Sequence, residues 1–212
     1  MDTSAAVTGA ATHQAAADSA RQPQQERSRL TRQRLLEATI DCLAEHGWSG
    51  TTVAVVAERA GVSRGAAQHH FRTREELVTA AVRQVASLRG EEIRAADLPS
   101  GRQRTEEVLD LLARHFTSPI FTAALHLWVA ASTDEALREI VAPLEAQVGR
   151  QAHRFTVELL GADESKPGVR EAIQATLDLL RGLGLANLLS DDSARRNRLL
   201  REWARYLDGV LR

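Results

Sequence analysis

Arg64, Gln68 and His69 stand close together beside Gly65 and Ala66. Arginine and glutamine are the side chains that pair with guanine and adenine through two hydrogen bonds in the major groove of DNA. The small neighbours would keep one helical face slim enough to enter that groove. No other constellation in the chain offers comparable chemistry. His69 and His70 are adjacent, so on a helix they point about 100° apart and cannot clamp one metal ion together. His115, His126 and His153 are scattered among apolar residues, the setting of core or pocket histidines. There is no GxGxxG, P-loop, GxSxG, HExxH or CxxC spacing, so no enzyme, catalytic residue, metal or cofactor is expected.

The elements that would position Arg64 and Gln68 are written into the stretch TTVAVVAERAGVSRGAAQHHFRTREEL, residues 51–77. Thr51 or Thr52 supplies a hydroxyl cap for a first short helix. Val56, Ala57 and Ala60 give it one apolar face, and Gly61 ends it in the left-handed conformation that glycine adopts without a Cβ penalty. Ser63 caps a second helix carrying Arg64, Gly65, Ala66, Gln68, His69 and His70, with Ala67 and Phe71 turned inward. Thr73 and Glu76 form a capping box in which each satisfies the other's backbone N–H. Two short helices across a glycine turn, the second slim and polar on its outside, make a helix-turn-helix.

This stretch resembles the DNA-binding domain of the TetR (tetracycline-repressor) family. The resemblance runs through Thr51-Thr52-Val53, Val56-Ala57, Ala60-Gly61-Val62-Ser63, Gly65, His70-Phe71 and the acidic pair before Leu77, and covers about residues 28–90. Two positions depart from the family pattern. Gln68 stands where an aromatic residue, often tyrosine, is usual, and Arg74 where lysine is usual. The resemblance implies a DNA-facing set of Arg29, Thr51, Thr52, Ser63, Arg64, Gly65, Ala66, Gln68, His69, His70 and Arg74. Thr52 and Arg74, each at a helix N-terminus, would hold phosphates.

An all-α chain is expected, because no strand alternation appears anywhere. Residues 1–26, rich in Ala, Ser, Thr and Gln, read as a disordered tail. Arg27, Arg29, Arg32 and Arg34 then bring positive charge to a helix from about Ser28 to His46, which Gly47 terminates and onto which Trp48 folds back. Residues 27–73 make the DNA-binding domain and 74–212 a larger helical domain for ligand binding and dimerisation. The first helix of that larger domain runs from Arg74 to about Ala96. Further helices are expected over Thr105–Phe116, Pro119–Ser132, Asp134–Leu160, Pro167–Leu189 and Ala194–Leu211. The last two carry broad apolar faces (Leu177, Leu180, Gly184, Leu185, Leu188; Leu199, Leu200, Trp203, Tyr206, Leu207, Val210). With Gly182 and Gly184 allowing close approach, and with family members dimerising through a four-helix bundle of these helices, they read as the dimer interface.

The chain has 212 residues, 43% hydrophobic and 26% charged, with a net charge of −1, so any affinity for nucleic acid must come from local patches. No apolar run approaches a membrane span, no secretory signal is visible, and the single Cys42 suits a reducing compartment. A cytoplasmic protein without a membrane partner is expected. The partners implied are double-stranded DNA, a second copy of the chain and a small-molecule effector. The resemblance implies a ligand-responsive regulator, most simply a repressor released from a palindromic operator; a transcriptional activator and a DNA-binding protein without a ligand response are the alternatives. Its pocket is expected to be mostly apolar and to take a small apolar or acyl-type ligand. Candidate lining residues are Leu112, Phe116, Phe121, His126, Trp128, Gln151, Arg154 and Asn187, with an arginine at the mouth for an anionic head.

Overall fold

The computed structural model of the chain describes residues 5–94 and 99–211. Nine helices, and no strand, are present among the described residues: α1 (Ala5–Gly50), α2 (Val53–Arg59), α3 (Arg64–His70), α4 (Arg74–Arg94), α5 (Arg102–Phe116), α6 (Pro119–Thr133), α7 (Glu135–Leu160), α8 (Val169–Ala186) and α9 (Ser193–Leu211). The all-α fold therefore holds, with an N-terminal helix-turn-helix domain and a larger helical domain behind it.

The first helix is longer than the sequence suggested. Its backbone is helical from Ala5, through the stretch read as a disordered tail, of which residues 1–4 lie outside the described residues. Alanine and glutamine have high helix propensity, and extending a helix costs far less than nucleating one. At the other end Gly47 takes φ 64°, ψ −172°, which breaks the helical path before the last turn to Gly50. The end of α4, expected near Ala96, is described as far as Arg94.

The head has its own apolar core. Leu35, Leu36, Leu43, Val56, Ala67, Phe71, Leu77 and Ala81 are all buried there, so α4 joins the head through its first turns. Ala123 and Leu127 of α6 belong to this same core. The other face of α6 carries Phe121, Leu125 and Trp128 into the core of the larger domain, among Val108, Leu112, Phe116, Leu177, Leu180 and Leu200. One helix thus serves both cores. A hydrogen-bonding contact ties it down where His126 Nδ1 lies 2.7 Å from the Leu43 carbonyl of α1.

The apolar stripes of α8 and α9 divide between inside and outside. Leu177, Leu180 and Gly184 face inward. A Cβ on Gly184 would lie 2.2 Å from the Phe116 carbonyl oxygen and 2.6 Å from Phe121 Cε1. The close approach expected between subunits at Gly184 is therefore made inside this one, while a Cβ on Gly182 would meet nothing within 4 Å. Leu200 and Leu207 are likewise buried, and Trp203 is half-buried, donating its indole N–H to Thr176 at 2.9 Å. Leu185, Leu188, Leu199 and Tyr206 remain on the surface.

Candidate functional site

The turn between α2 and α3 is fixed by local hydrogen bonds. Thr52 accepts the Val55 N–H at 3.2 Å as N-cap of α2, and Ser63 accepts the Ala66 N–H at 3.2 Å as N-cap of α3. Gly61, at φ 65°, gives its N–H to Glu58, and Val62 gives its own to Ala57. This is the Schellman pair of bonds, and it needs the left-handed residue that glycine supplies. The Arg59 guanidinium holds the Glu45 carboxylate and braces α2 on α1. At the start of α4, Thr73 accepts the Glu76 N–H at 3.1 Å, but Glu76 accepts from Arg72 at 2.9 Å rather than from Thr73. The capping box is shifted by one residue on its return half.

This frame presents Ser63, Arg64, Gly65, Gln68 and His69 on the surface, with Ala66 and His70 half-buried at its edge and Ala67 turned into the core. Arg64 has no hydrogen bond or ion pair among the described residues. Nothing in the chain lies within 4 Å of where a Gly65 Cβ would sit. The missing side chain therefore relieves no internal contact and leaves room outside. Burial, followed by repulsion from His69 and Arg32, holds His70 below the usual histidine range, which favours its neutral form.

Three residues expected at this surface are engaged elsewhere. Thr51 is fully buried, and its hydroxyl donates to the Gly47 carbonyl at 2.7 Å, fastening the break in α1. Its polar group is consumed by the turn that also places Thr52, which is exposed. Arg74 lies with its guanidinium carbon 3.6 Å from the centre of the Trp48 ring, donates to the Trp48 carbonyl at 3.1 Å and sits 3.5 Å from Glu75. A planar cation over an indole with a carbonyl in reach is well satisfied within the chain. Arg29 is exposed and paired with Glu26 one turn earlier at 2.7 and 3.0 Å.

Behind the head lies a cavity of about 120 Å³. It is walled by Ile40 and Leu43 of α1, Val82 and Val85 of α4, His115 and Phe116 of α5, Phe121, Ala124 and Trp128 of α6, Leu144, Glu145 and Val148 of α7, and Arg181 of α8. That volume suits a group about the size of one aromatic ring. Phe116 and Phe121, and Phe121 and Trp128, meet edge to face at 5.2 and 5.9 Å. The head's first helix and the linking helix are part of the wall.

Of the candidate lining residues, Phe116, Phe121 and Trp128 face this cavity. Leu112 packs in the adjoining core, and His126 turns to Leu43 instead. Gln151 and Arg154 stand on α7 away from the wall, because the inward stripe of that helix is Val141, Leu144, Glu145, Val148 and Ala152. Asn187 caps α8 and accepts from Arg196 at 2.8 Å.

The polar end of the cavity is Glu145 and Arg181, which sequence reasoning missed. Each sits on an apolar stripe: Glu145 between Leu144 and Val148, Arg181 between Leu180 and Gly184. A charged residue on a buried stripe was the available signal. Burial pushes the Glu145 carboxyl up, opposed by Arg181 and by a hydrogen bond from Trp128. Arg181 donates to Asp178 at 2.5 Å and approaches Glu145 only to 3.8 Å, and its buried Nε has no acceptor. Among the described residues no group of three or more His, Cys, Asp or Glu is placed to hold a metal ion, and no helix is long and apolar enough to cross a membrane.

A family model described as bacterial regulatory proteins, tetR family, matches residues 35–81, the window that builds this head. The HTH-type transcriptional regulator CymR of Pseudomonas putida is 33% identical over 187 residues, spanning 84% of this chain and 90% of that protein. The chain belongs to the TetR family. It is a DNA-binding transcriptional regulator with the family's helical fold. A TetR-family structure from Streptomyces coelicolor A3 matches with a TM-score of 0.61 at 24% identity, over 84% of this chain and 97% of that one. The structure of a regulator from Saccharomonospora viridis in complex with choline matches with a TM-score of 0.60 at 16% identity, over 82% and 95%. Both share the fold of this TetR-family chain.

Proposed function

We propose that this TetR-family chain is a homodimeric repressor whose two heads bind a palindromic operator and which a small, mostly apolar effector releases. The observation that carries the effector is the cavity wall, to which the head's α1 contributes Ile40 and Leu43 and the linking α4 contributes Val82 and Val85. A ligand that fills the cavity touches the head directly, as well as through the helix that leads to it. It can therefore favour one head orientation over another, which is the differential affinity that coupling requires. The choline complex of a regulator with the same fold supports a small-molecule site in such a chain.

Arg64, Gln68 and His69 read bases on this proposal, with Thr52 and Ser63 near phosphates. Arg74, satisfied by Trp48, holds the head to α4 rather than the head to DNA. The exposed Leu185, Leu188, Leu199 and Tyr206 form the second face of α8 and α9 and support dimerisation there. Selection of bound sequences from random DNA, followed by footprinting and sedimentation of the complex, tests the reading. Two related half-sites under one dimer are expected, and a single half-site under one chain would overturn it. A compound that raises the melting temperature should also weaken operator binding. Stabilisation that leaves DNA affinity unchanged would separate the cavity from regulation.

A further inference from the structure

We propose that the cavity takes a small apolar carboxylate, its body among Phe116, Phe121 and Trp128 and its oxygens on Arg181, and that Glu145 takes up one proton as it binds. The inference rests on the cavity being the effector site. Its geometric ground is the unfinished Glu145–Arg181 contact. At 3.8 Å the two groups are too far apart for a hydrogen bond, and Arg181 Nε–H is buried with nothing to accept it. Asp178 occupies another nitrogen of the same guanidinium. A guanidinium with an unused buried donor facing an apolar chamber fits a carboxylate, which accepts two parallel N–H bonds. A neutral hydrocarbon would leave that donor unsatisfied.

The proton follows from charge. Arg181 from α8, with the exposed Asp178 behind it, and the Trp128 indole from α6 act on Glu145, and His115 from α5 lines the same cavity. The faces offered by α1 and α4 are aliphatic. One arginine, already paired with the exposed Asp178, cannot also neutralise both the half-buried Glu145 and an incoming carboxylate on the cavity wall. Burial already favours the protonated Glu145. A second carboxylate beside it adds repulsion in the same direction. Glu145 accepts a proton from solvent and then donates that O–H to the ligand carboxylate. The three anionic groups become two anions and one acid around one cation.

Benzoate, benzamide and benzyltrimethylammonium probe the site on the full chain, by melting temperature and by titration calorimetry in buffers of different ionisation heat. Benzoate should raise the melting temperature and bind at least about tenfold more tightly than benzamide. It should take up protons, and its affinity should fall with rising pH by up to about tenfold per unit. Arg181→Lys should keep part of the preference for the acid and Arg181→Gln should remove it. Glu145→Gln should still bind benzoate, with no proton uptake and a flat pH profile. Preference for benzamide or the ammonium compound would overturn the carboxylate assignment and leave the effector site standing. No melting shift with any of the three, in wild type or Glu145→Gln, would overturn the effector site itself. Benzoate binding with no net proton exchange would overturn the role of Glu145.

Discussion

The reading head and the cavity domain use their polar residues in opposite ways. The head's core is apolar except for the hydroxyls of Thr39 and Thr51, which are bonded to α1 carbonyls, and its other hydroxyls and charges cap helices, brace α1 against α2, or stand free on the α3 surface. The larger domain draws Glu145 and Arg181 onto the wall of a space that its helices do not fill. Close packing with every buried polar group satisfied gives one arrangement; a chamber with an incompletely paired ion couple is poised to accept a second component. A regulator needs both properties, and this chain keeps them in separate regions that share α6.

The largest expected effect sharpens that contrast. Leu43 is fully buried at the border of the two regions, and Leu43→Ala should cost about 2–5 kcal/mol in chemical denaturation. Ala124→Leu on the opposite wall puts added volume into existing space, so it should leave stability unchanged or raise it while abolishing ligand-induced stabilisation. Equal losses from both substitutions would break the distinction between a filled core and a hollow one. Next in size, Arg64→Ala should weaken operator binding by about 1–3 kcal/mol, measured by fluorescence anisotropy, with an unchanged melting temperature because Arg64 is exposed. Arg74→Ala should do the reverse, lowering the melting temperature by loss of the Trp48 contact while leaving the salt dependence of DNA binding unaltered.

Smaller still, Thr73→Ala should cost about 1 kcal/mol by freeing the Glu76 N–H, detected as a shift in the denaturation midpoint at constant slope. The smallest effects are pH responses of opposite sign. His70 has a lowered folded value, so its contribution is present above the usual histidine range and is lost as pH falls through it. Glu145 has a raised folded value, so its contribution is present below the usual carboxylate range and is lost as pH rises through the folded value. Melting curves across pH for His70→Gln and Glu145→Gln should flatten from opposite sides. The same direction in both would contradict the two environments.

The head was legible in the sequence because its determinants are local. Thr52, Gly61, Ser63 and Thr73 each act within a few residues, and each does what its type and spacing suggest. The cavity was legible only in its aromatic part. Phe121 and Trp128 share a helical face that the spacing reveals, whereas Ile40, Val85, Glu145 and Arg181 come from four helices and meet only after these have packed. Trp48 shows the limit from another side. It was expected to fold back onto the first helix, and it also binds Arg74, a partner 26 residues away that no local pattern names.

The sharing of α6 has a genetic consequence. Ala123 and Leu127 belong to the head's core and also line the cavity, one turn from Phe121 and Trp128. Codon changes at Ala123 and Leu127 should therefore give alleles with mixed phenotypes, altered in both operator occupancy and inducibility. Changes at Arg64 or Gln68 should give simple loss-of-binding alleles, and changes at Arg181 simple non-inducible ones. In a screen of random mutants scored in a reporter strain, the pleiotropic class should concentrate in one short segment of the gene, with codons 123 and 127 at its centre.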